Sequence, residues 1–197
     1  MREVELKSVV DDMARRRAAV EAAGASRTDG GQRRDRCYDT PDHALSARDQ
    51  LLRVRVYRSD AGERAELDWK GPTSREAGYK VREELGVHVA EGDVMVDMLE
   101  RLGYLVTIAI DREIAQYDLG GAMIRFERYP RLDDLVEVEG TPEQIEHAIV
   151  ALGLPRAGFT SERLPDFVRR FERRTGLRAA LSDAEFRGDT HYDSANA

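Results

Sequence analysis

The sequence predicts an α+β fold: an antiparallel β-barrel of about eight strands with helices packed outside. Three observations lead there. Short runs with apolar and charged residues in strict alternation recur along the chain, the period of a strand with one buried face. Several successive runs are joined by short Gly-containing turns, which favours antiparallel pairing. The helical segments are few, and each carries an apolar stripe that needs a sheet to cover.

Taken in order, Glu3 to Lys7 alternates, with Val4 and Leu6 on one side and Glu3, Glu5 and Lys7 on the other. Residues 9–23 read as a helix closed by Gly24. Ser26 to Asp35 is polar and contains Gly30-Gly31, so it reads as a loop, with the glycine pair as a flexible linker. A short strand follows at Arg36 to Thr40, stopped by Pro41. Leu51 to Arg58 is a strand, and Asp60-Ala61-Gly62 turns it into a second one ending at Lys70. Lys80 to Val89 is a further strand, and Asp93 to Leu102 an amphipathic helix ended by Gly103. Strands at about 105–116 and 122–128 flank Gly120-Gly121, and another covers 135–139. Thr141-Pro142-Glu143-Gln144 starts a helix, with Thr as N-cap, Pro in the first turn and Gln at the capping-box position. Ser161 to Thr175 forms the last helix. One domain over 1–176 is expected, with 177–197 as a partly flexible C-terminal extension.

Charged residues make up 35% of the chain, above the ~25% of an ordinary domain, so charge must line surfaces or a wet cavity. The net charge of -7 argues against general nucleic-acid or membrane-surface binding. A single cysteine, Cys37, allows no internal disulfide and fits a reducing cytoplasm. No apolar run is long enough for a membrane helix, and no signal peptide is evident. The four histidines are scattered without metal-ligand spacing. Arg15-Arg16-Arg17 and the arginines at 169, 170, 173 and 174 read as solvated helix faces.

The alternating charges carry the functional signal. Same-parity positions hold Glu3, Glu5 and Lys7; Arg53 and Arg55; Glu66, Asp68 and Lys70; Lys80, Arg82 and Glu84; Arg125 and Glu127; Glu137 and Glu139. Wet strand faces are ordinarily rich in Thr, Ser and Gln. If the sheet closes, alternation turns one whole face inward, and the interior becomes a tunnel with both signs of charge. Arg and Lys neutralise phosphates, while clustered carboxylates hold Mg²⁺ or Mn²⁺. Together they suit a metal-bound polyphosphate.

These residues resemble the CYTH domain, or triphosphate tunnel metalloenzyme, family. Glu3-Val4-Glu5-Leu6-Lys7 is similar to its Glu-x-Glu-x-Lys signature. Tyr38-Asp39-Thr40-Pro41, Leu52-Arg53-Val54-Arg55, Trp69-Lys70-Gly71-Pro72, Arg82-Glu83-Glu84 and Glu137-Val138-Glu139 follow in the family's order, and the resemblance runs to about residue 174. It implies metal binding by Glu3, Glu5, Glu127, Glu137 and Glu139. It implies phosphate binding by Lys7, Arg53, Arg55, Lys70, Arg82, Arg112 and Arg125. Glu3, Glu5, Lys7 and Glu139 would be the catalytic set, and Glu84 would bind metal or orient Arg82. Two departures stand out: Ile110 where a Lys is usual, and Glu127 where an Asp is usual. Arg125, on the parity of Glu127, is the candidate to replace the lost cation.

The implied substrate is a triphosphate-containing small molecule: tripolyphosphate, thiamine triphosphate or ATP. With water as nucleophile the chemistry is hydrolysis. With the substrate's 3′-hydroxyl it is a class IV adenylyl cyclase reaction releasing pyrophosphate. A non-catalytic triphosphate or polyphosphate sensor is the third reading. Hydrolysis is favoured because the sequence shows no nucleobase site; Tyr57, Trp69 and Tyr79 are the aromatics available for stacking, and strand aromatics are more often core or rim. Oligomeric state is left open.

Overall fold

The computed structural model describes residues 2–59, 62–76 and 78–191, without the side chains of Arg2 and Glu3. The strands are β1 (Arg2–Val9), β2 (Ser26–Asp39), β3 (Leu51–Ser59), β4 (Gly62–Lys70), β5 (Ser74–Glu76), β6 (Tyr79–Val89), β7 (Leu105–Leu119), β8 (Ala122–Arg128) and β9 (Leu135–Glu139). The helices are α1 (Met13–Ala22), α2 (Gly92–Arg101), α3 (Pro142–Leu152), α4 (Leu164–Thr175) and α5 (Asp183–Arg187).

The strands run β1-β9-β8-β7-β2-β3-β4-β6, and β6 pairs back on β1, so eight strands close into an antiparallel barrel. β5 is an extra strand on the edge of β6. Closure is made by Glu3 opposite Arg82 and Glu5 opposite Lys80. Residues opposite one another in a ladder share a face. The charged positions of β1, β3, β4, β6, β8 and β9 therefore all turn inward together.

The apolar parts of the outer face are covered in two places. Leu6, Ile124, Phe126, Val136 and Val138 pack with Val20 of α1 and Ile145 and Leu152 of α3. Tyr38 and Val54 pack with Leu99 of α2. A third cluster differs in kind. Cys37, Ile108, Ile110 and Leu135 lie on inward parity, and they meet Phe167, Val168 and Phe171 of α4 with Ala179 and Leu181 beyond it. Helix α4 is thus an apolar stopper across one end of the barrel. Residues 177–191 dock beside it: Arg131 and Ala180 exchange backbone hydrogen bonds at 3.1 and 2.9 Å, and Asp111 N donates to Leu181 O at 2.8 Å.

Four sequence readings are corrected. The segment expected to be a loop at 26–35 is the first two-thirds of β2, paired to both β3 and β7. Its polarity misled because its inward residues sit among charges rather than in an oily core. Gly31 is no linker: its φ is 130°, and a Cβ there would stand 2.2 Å from the Arg58 carbonyl oxygen. Only glycine lets β3 approach so closely. The helix expected from residue 9 starts at Met13, because β1 runs on to Val9, while the short β5 and α5 gave no sequence signal. Arg16 is also not on a solvated face. It is buried, forms a bidentate pair with Asp11 at 2.6 and 2.7 Å, and donates to the carbonyls of Leu152 and Gly153, tying α1 to the end of α3.

The capping box of α3 forms as the sequence indicated, with Thr141 Oγ1 accepting from Gln144 N and Gln144 Oε1 accepting from Thr141 N. Replacing Thr141 by Ala removes one of these bonds and is expected to cost about 1 kcal/mol. Thermal unfolding should register this as a Tm lower by about 2–4 °C; an unchanged Tm would show that α3 is held by its packing alone.

Candidate active site

The inward face of β2 places Arg33, Asp35 and Cys37 in a row, beside Arg53 and Arg55 of β3 and Ile108, Ile110 and Arg112 of β7. Asp35 is 1% exposed and is the hub of this wall. Arg55 grips it with both arms at 2.7 and 2.8 Å, Arg112 reaches it at 3.0 Å, and Arg53 at 3.6 Å. Burial pushes the Asp35 carboxyl up, but Arg112, Arg55 and Arg53 outweigh it and hold it well below the usual carboxylate range. Arg53 is fixed from its other side by Asp68 at 2.7 Å.

The opposite wall repeats the pattern. Glu127 is met by Arg112 at 3.0 Å, by Arg125 at 3.2 Å and by the Tyr129 hydroxyl, which donates at 2.6 Å. Burial raises its pKa, and Arg112, Lys7 and Arg125 drive it well below the usual range. Glu137 pairs with Lys7 at 2.7 Å and with Arg125. Glu5 pairs with Lys80; its burial is outweighed by Lys80, Lys7 and Lys70, and its pKa falls to about 2. Lys70 pairs with Glu84.

Apart from Arg33, Asp68 and Glu84, these side chains line one cavity of about 230 Å³ in the barrel. Of the residues expected at the site, Glu5, Lys7, Arg53, Arg55, Lys70, Arg82, Arg112, Arg125, Glu127 and Glu137 stand on its wall. Glu139 lies opposite Glu5 in the ladder, half-buried and off the cavity surface. The backbone of Glu3 is paired to Arg82, and its side chain lies outside the described part of the structure. Arg125 faces inward as its parity indicated. Arg82 is drawn toward the rim, where Nη2 donates to the Asp49 carbonyl at 2.9 Å and Nε to that of Gly71. Glu84 bonds Lys70.

Ile110 lines the cavity and also joins the apolar stopper under α4. The expected cation is absent where the polar interior gives way to the plug. Sequence reasoning missed Asp35 and Arg33, because their segment was taken as a loop, and gave no role to Asp68, Lys80 or Tyr129. The Arg33-x-Asp35 alternation and the shared parity of Lys80 with Arg82 were the available signals. Of the aromatics considered for stacking, Tyr57 faces inward against Arg33, Arg55 and Arg64, Tyr79 is in the outer core with its hydroxyl on Glu146, and Trp69 is opposite Leu52.

The cavity's carboxylates are hard oxygen donors, the kind that Mg²⁺ or Mn²⁺ takes. Among the described residues no three carboxylates, histidines or cysteines stand close enough to form a metal cluster. The donor chemistry fits a divalent cation, and such an ion has to compete with Lys80 for Glu5 and with Lys7 and Arg125 for Glu137.

The rim is organised by the loop after β2. Asp39 accepts from the backbone N–H groups of Thr40, Leu45 and Ser46 at 2.7, 2.9 and 2.9 Å. This brings Ser46, Asp49 and Gln50 to the cavity. Asp49, at φ 54°, accepts from Thr73 N at 2.6 Å and pairs with Arg163 at 2.7 Å, just before α4.

A closed barrel whose interior is a two-sign charge network, plugged by a helix at one end, defines a class of charged-tunnel proteins. The CYTH domain model matches residues 1–151, and the chain belongs to the CYTH domain family. No curated protein matches the sequence. Several solved structures share the fold. A candidate adenylate cyclase from Vibrio parahaemolyticus is 21% identical with a TM-score of 0.71, covering 85% of this chain and 97% of that one. The PH1012 protein from Pyrococcus horikoshii OT3 is 19% identical with a TM-score of 0.67, covering 84% and 98%. HpAC1 from Hippeastrum, a candidate adenylyl cyclase with a dominant triphosphatase activity, is 16% identical with a TM-score of 0.61, covering 91% and 99%.

The Asp39 carboxylate is buried, and the N–H groups of Leu45, Ser46 and Thr40 hold its pKa below 3.8 against that burial. A depressed carboxyl contributes stability that is present above its unfolded pKa and is lost as pH falls through its folded pKa. Asp39→Ala should therefore be less stable than the native chain at pH 7. The gap in unfolding free energy should narrow steadily below about pH 4. A gap that stays constant through the acid range would remove Asp39 as the organiser of this loop.

Proposed function

We propose that the barrel binds the phosphate chain of a triphosphate-containing substrate with Mg²⁺ or Mn²⁺ and hydrolyses it. The observation that carries this reading is the convergence of Lys7, Arg53, Arg55, Arg112 and Arg125 with Glu5, Glu127 and Glu137 on one cavity. Phosphoryl transfer asks mainly for positioning and charge stabilisation, and this lining offers both. Arg and Lys match the phosphate oxygens, and their carboxylate partners hold them in place before substrate arrives. A cavity of about 230 Å³ is smaller than the roughly 300–1,000 Å³ of sites for drug-sized ligands. It suits a phosphate chain better than a whole nucleotide. The dominant triphosphatase activity of HpAC1 supports the same choice.

Glu5, Glu127, Glu137 and Glu139, with Glu3, are the residues assigned to the cation. When bound it polarises phosphoryl oxygens and helps to generate the nucleophile. Lys7, Arg53, Arg55, Arg112 and Arg125 neutralise the phosphates, Lys70 and Arg82 guard the approach from the rim, and the start of α4 narrows that same rim. A triphosphate sensor without turnover is the second reading. It is favoured by the cavity's carboxylates already being matched to cations and by Ile110 in place of one cation.

Incubation with Mg²⁺ or Mn²⁺ and, separately, tripolyphosphate, thiamine triphosphate and ATP separates the readings by product. Orthophosphate is expected. Cyclic AMP with pyrophosphate from ATP would instead assign a cyclase, and binding without product would assign a sensor. Glu5→Gln should abolish turnover, and activity that survives it would take Glu5 out of the metal site.

Arg125 replaces the cation missing at 110 in this reading. Arg125→Ala should weaken tripolyphosphate binding by about 1.5–3 kcal/mol, roughly tenfold or more by calorimetry. Glu127 and Glu137 keep Arg112 and Lys7 as partners in that variant, so affinity equal to the native chain would refute the substitution of one cation for the other.

A further inference from the structure

Lys80 of β6 stands directly opposite Glu5 of β1 in the ladder that closes the barrel. Directly opposed residues have Cβ atoms about 5 Å apart, so ring closure itself puts the stem of Lys80 beside Glu5. Its ammonium donates to Glu5 Oε1, and the two side chains are 12% and 7% exposed. Both line the cavity. Among the described residues no other ion pair reaches either of them. The other lysines of the cavity, Lys7 and Lys70, have Glu137 and Glu84. Arg82, two residues beyond Lys80, donates to the rim carbonyls of Gly71 and Asp49.

This pairing bears on how the cation assigned to Glu5 can load. A hard divalent ion is held through carboxylate oxygens, and the ammonium that register keeps beside Glu5 opposes it. Like charges repel far more strongly in such a cavity than in water. Once off Glu5, a buried ammonium needs another anion. Every other carboxylate it could turn to on the inner wall is already shared: Glu137 by Lys7 and Arg125, Glu127 by Arg112, Arg125 and the Tyr129 hydroxyl, Asp35 by three arginines. A phosphate chain in the cavity brings new oxygen acceptors. Lysine suits such a transfer, since its ammonium is a compact point charge on a flexible stem, without the fixed fork of arginine.

We propose that Lys80 makes divalent-cation binding conditional on the phosphate chain. It holds Glu5 until a polyphosphate enters, then moves to a phosphate oxygen and opens Glu5 to the metal. Metal alone therefore binds poorly, and metal and polyphosphate bind cooperatively through the Lys80–Glu5 pair. The coupling is reciprocal, so each ligand tightens the other by the same factor. This rests on the triphosphate reading above and adds the residue that links its two halves.

The test is a calorimetric cycle: Mn²⁺ affinity with and without saturating tripolyphosphate, for the native chain and for Lys80→Met, beside each protein's Tm. The attraction of Mn²⁺ for tripolyphosphate itself is common to both proteins and cancels in the comparison. Without tripolyphosphate, Lys80→Met should bind Mn²⁺ more tightly than the native chain by about tenfold or more, and the tightening that tripolyphosphate adds should shrink by the same factor. Native coupling in a folded Lys80→Met would overturn the proposal and leave Lys80 as a fixed structural partner of Glu5. Should Lys80→Met not fold, the double variant Glu5→Gln with Lys80→Met decides, since it leaves neither charge buried alone. Metal-free tripolyphosphate should bind that double variant about tenfold more weakly than Glu5→Gln, in which Lys80 is released to the phosphate. Equal affinities would overturn the transfer. A native chain that binds no tripolyphosphate removes the triphosphate reading and this inference together. Tripolyphosphate binding whose coupling to Mn²⁺ is the same in both proteins removes this inference alone.

Discussion

Closing the sheet through the β1–β6 ladder is the constraint on which the rest of the molecule depends. In an open sheet the alternating charges would face water. In a ring they face one another, and each must find a partner or remain a buried charge. The interior answers with a lattice of shared ions: Asp35 between three arginines, Arg112 between two carboxylates, Arg125 between Glu127 and Glu137, and Lys7 on Glu137. Such pairs return little stability over an apolar core, because desolvation cancels most of their attraction.

Stability comes from the outside of the ring. Most outward residues of β1, β8 and β9 are aliphatic or aromatic, and α1 and α3 cover them in one continuous core. At 25 cal/mol per Å² of apolar area, this covering is the main favourable term in folding. The barrel is thus inverted relative to an ordinary small barrel, with the dry core outside and the polar chemistry inside. Helix α4 is the exception, since its apolar face is spent on sealing one end. The seal explains why Cys37, Ile108 and Ile110 are apolar on a face that is otherwise ionic.

The same seal gives the cavity a direction. Its rim lies between the Asp39-organised loop and the start of α4, where Asp49 joins Arg82, Arg163 and Thr73. Its other limit is the Tyr57 stack. Between them cations and carboxylates alternate along the cavity wall. The chain's CYTH family membership is consistent with this division, and the geometry adds which charges are already paired within the barrel.

Much of this was legible in the chain. The two-residue period of Glu3-x-Glu5-x-Lys7, Arg53-x-Arg55 and Glu137-x-Glu139 determined that one face of each strand is ionic, because pleating fixes the side of every side chain. Thr141 and Gly153 determined the ends of α3 through capping chemistry. What sequence could not give is which strands meet. Arg33 and Asp35 looked like loop residues, since a polar segment with Gly30-Gly31 carries no local sign of being paired on both sides. Ile110 looked like a lost cation until its contact with α4, about fifty-five residues away in the chain, placed it in the stopper. Charge pattern and parity are local and survive in the sequence. The partner of each charge is set by strand register and ring closure, which only the folded structure decides.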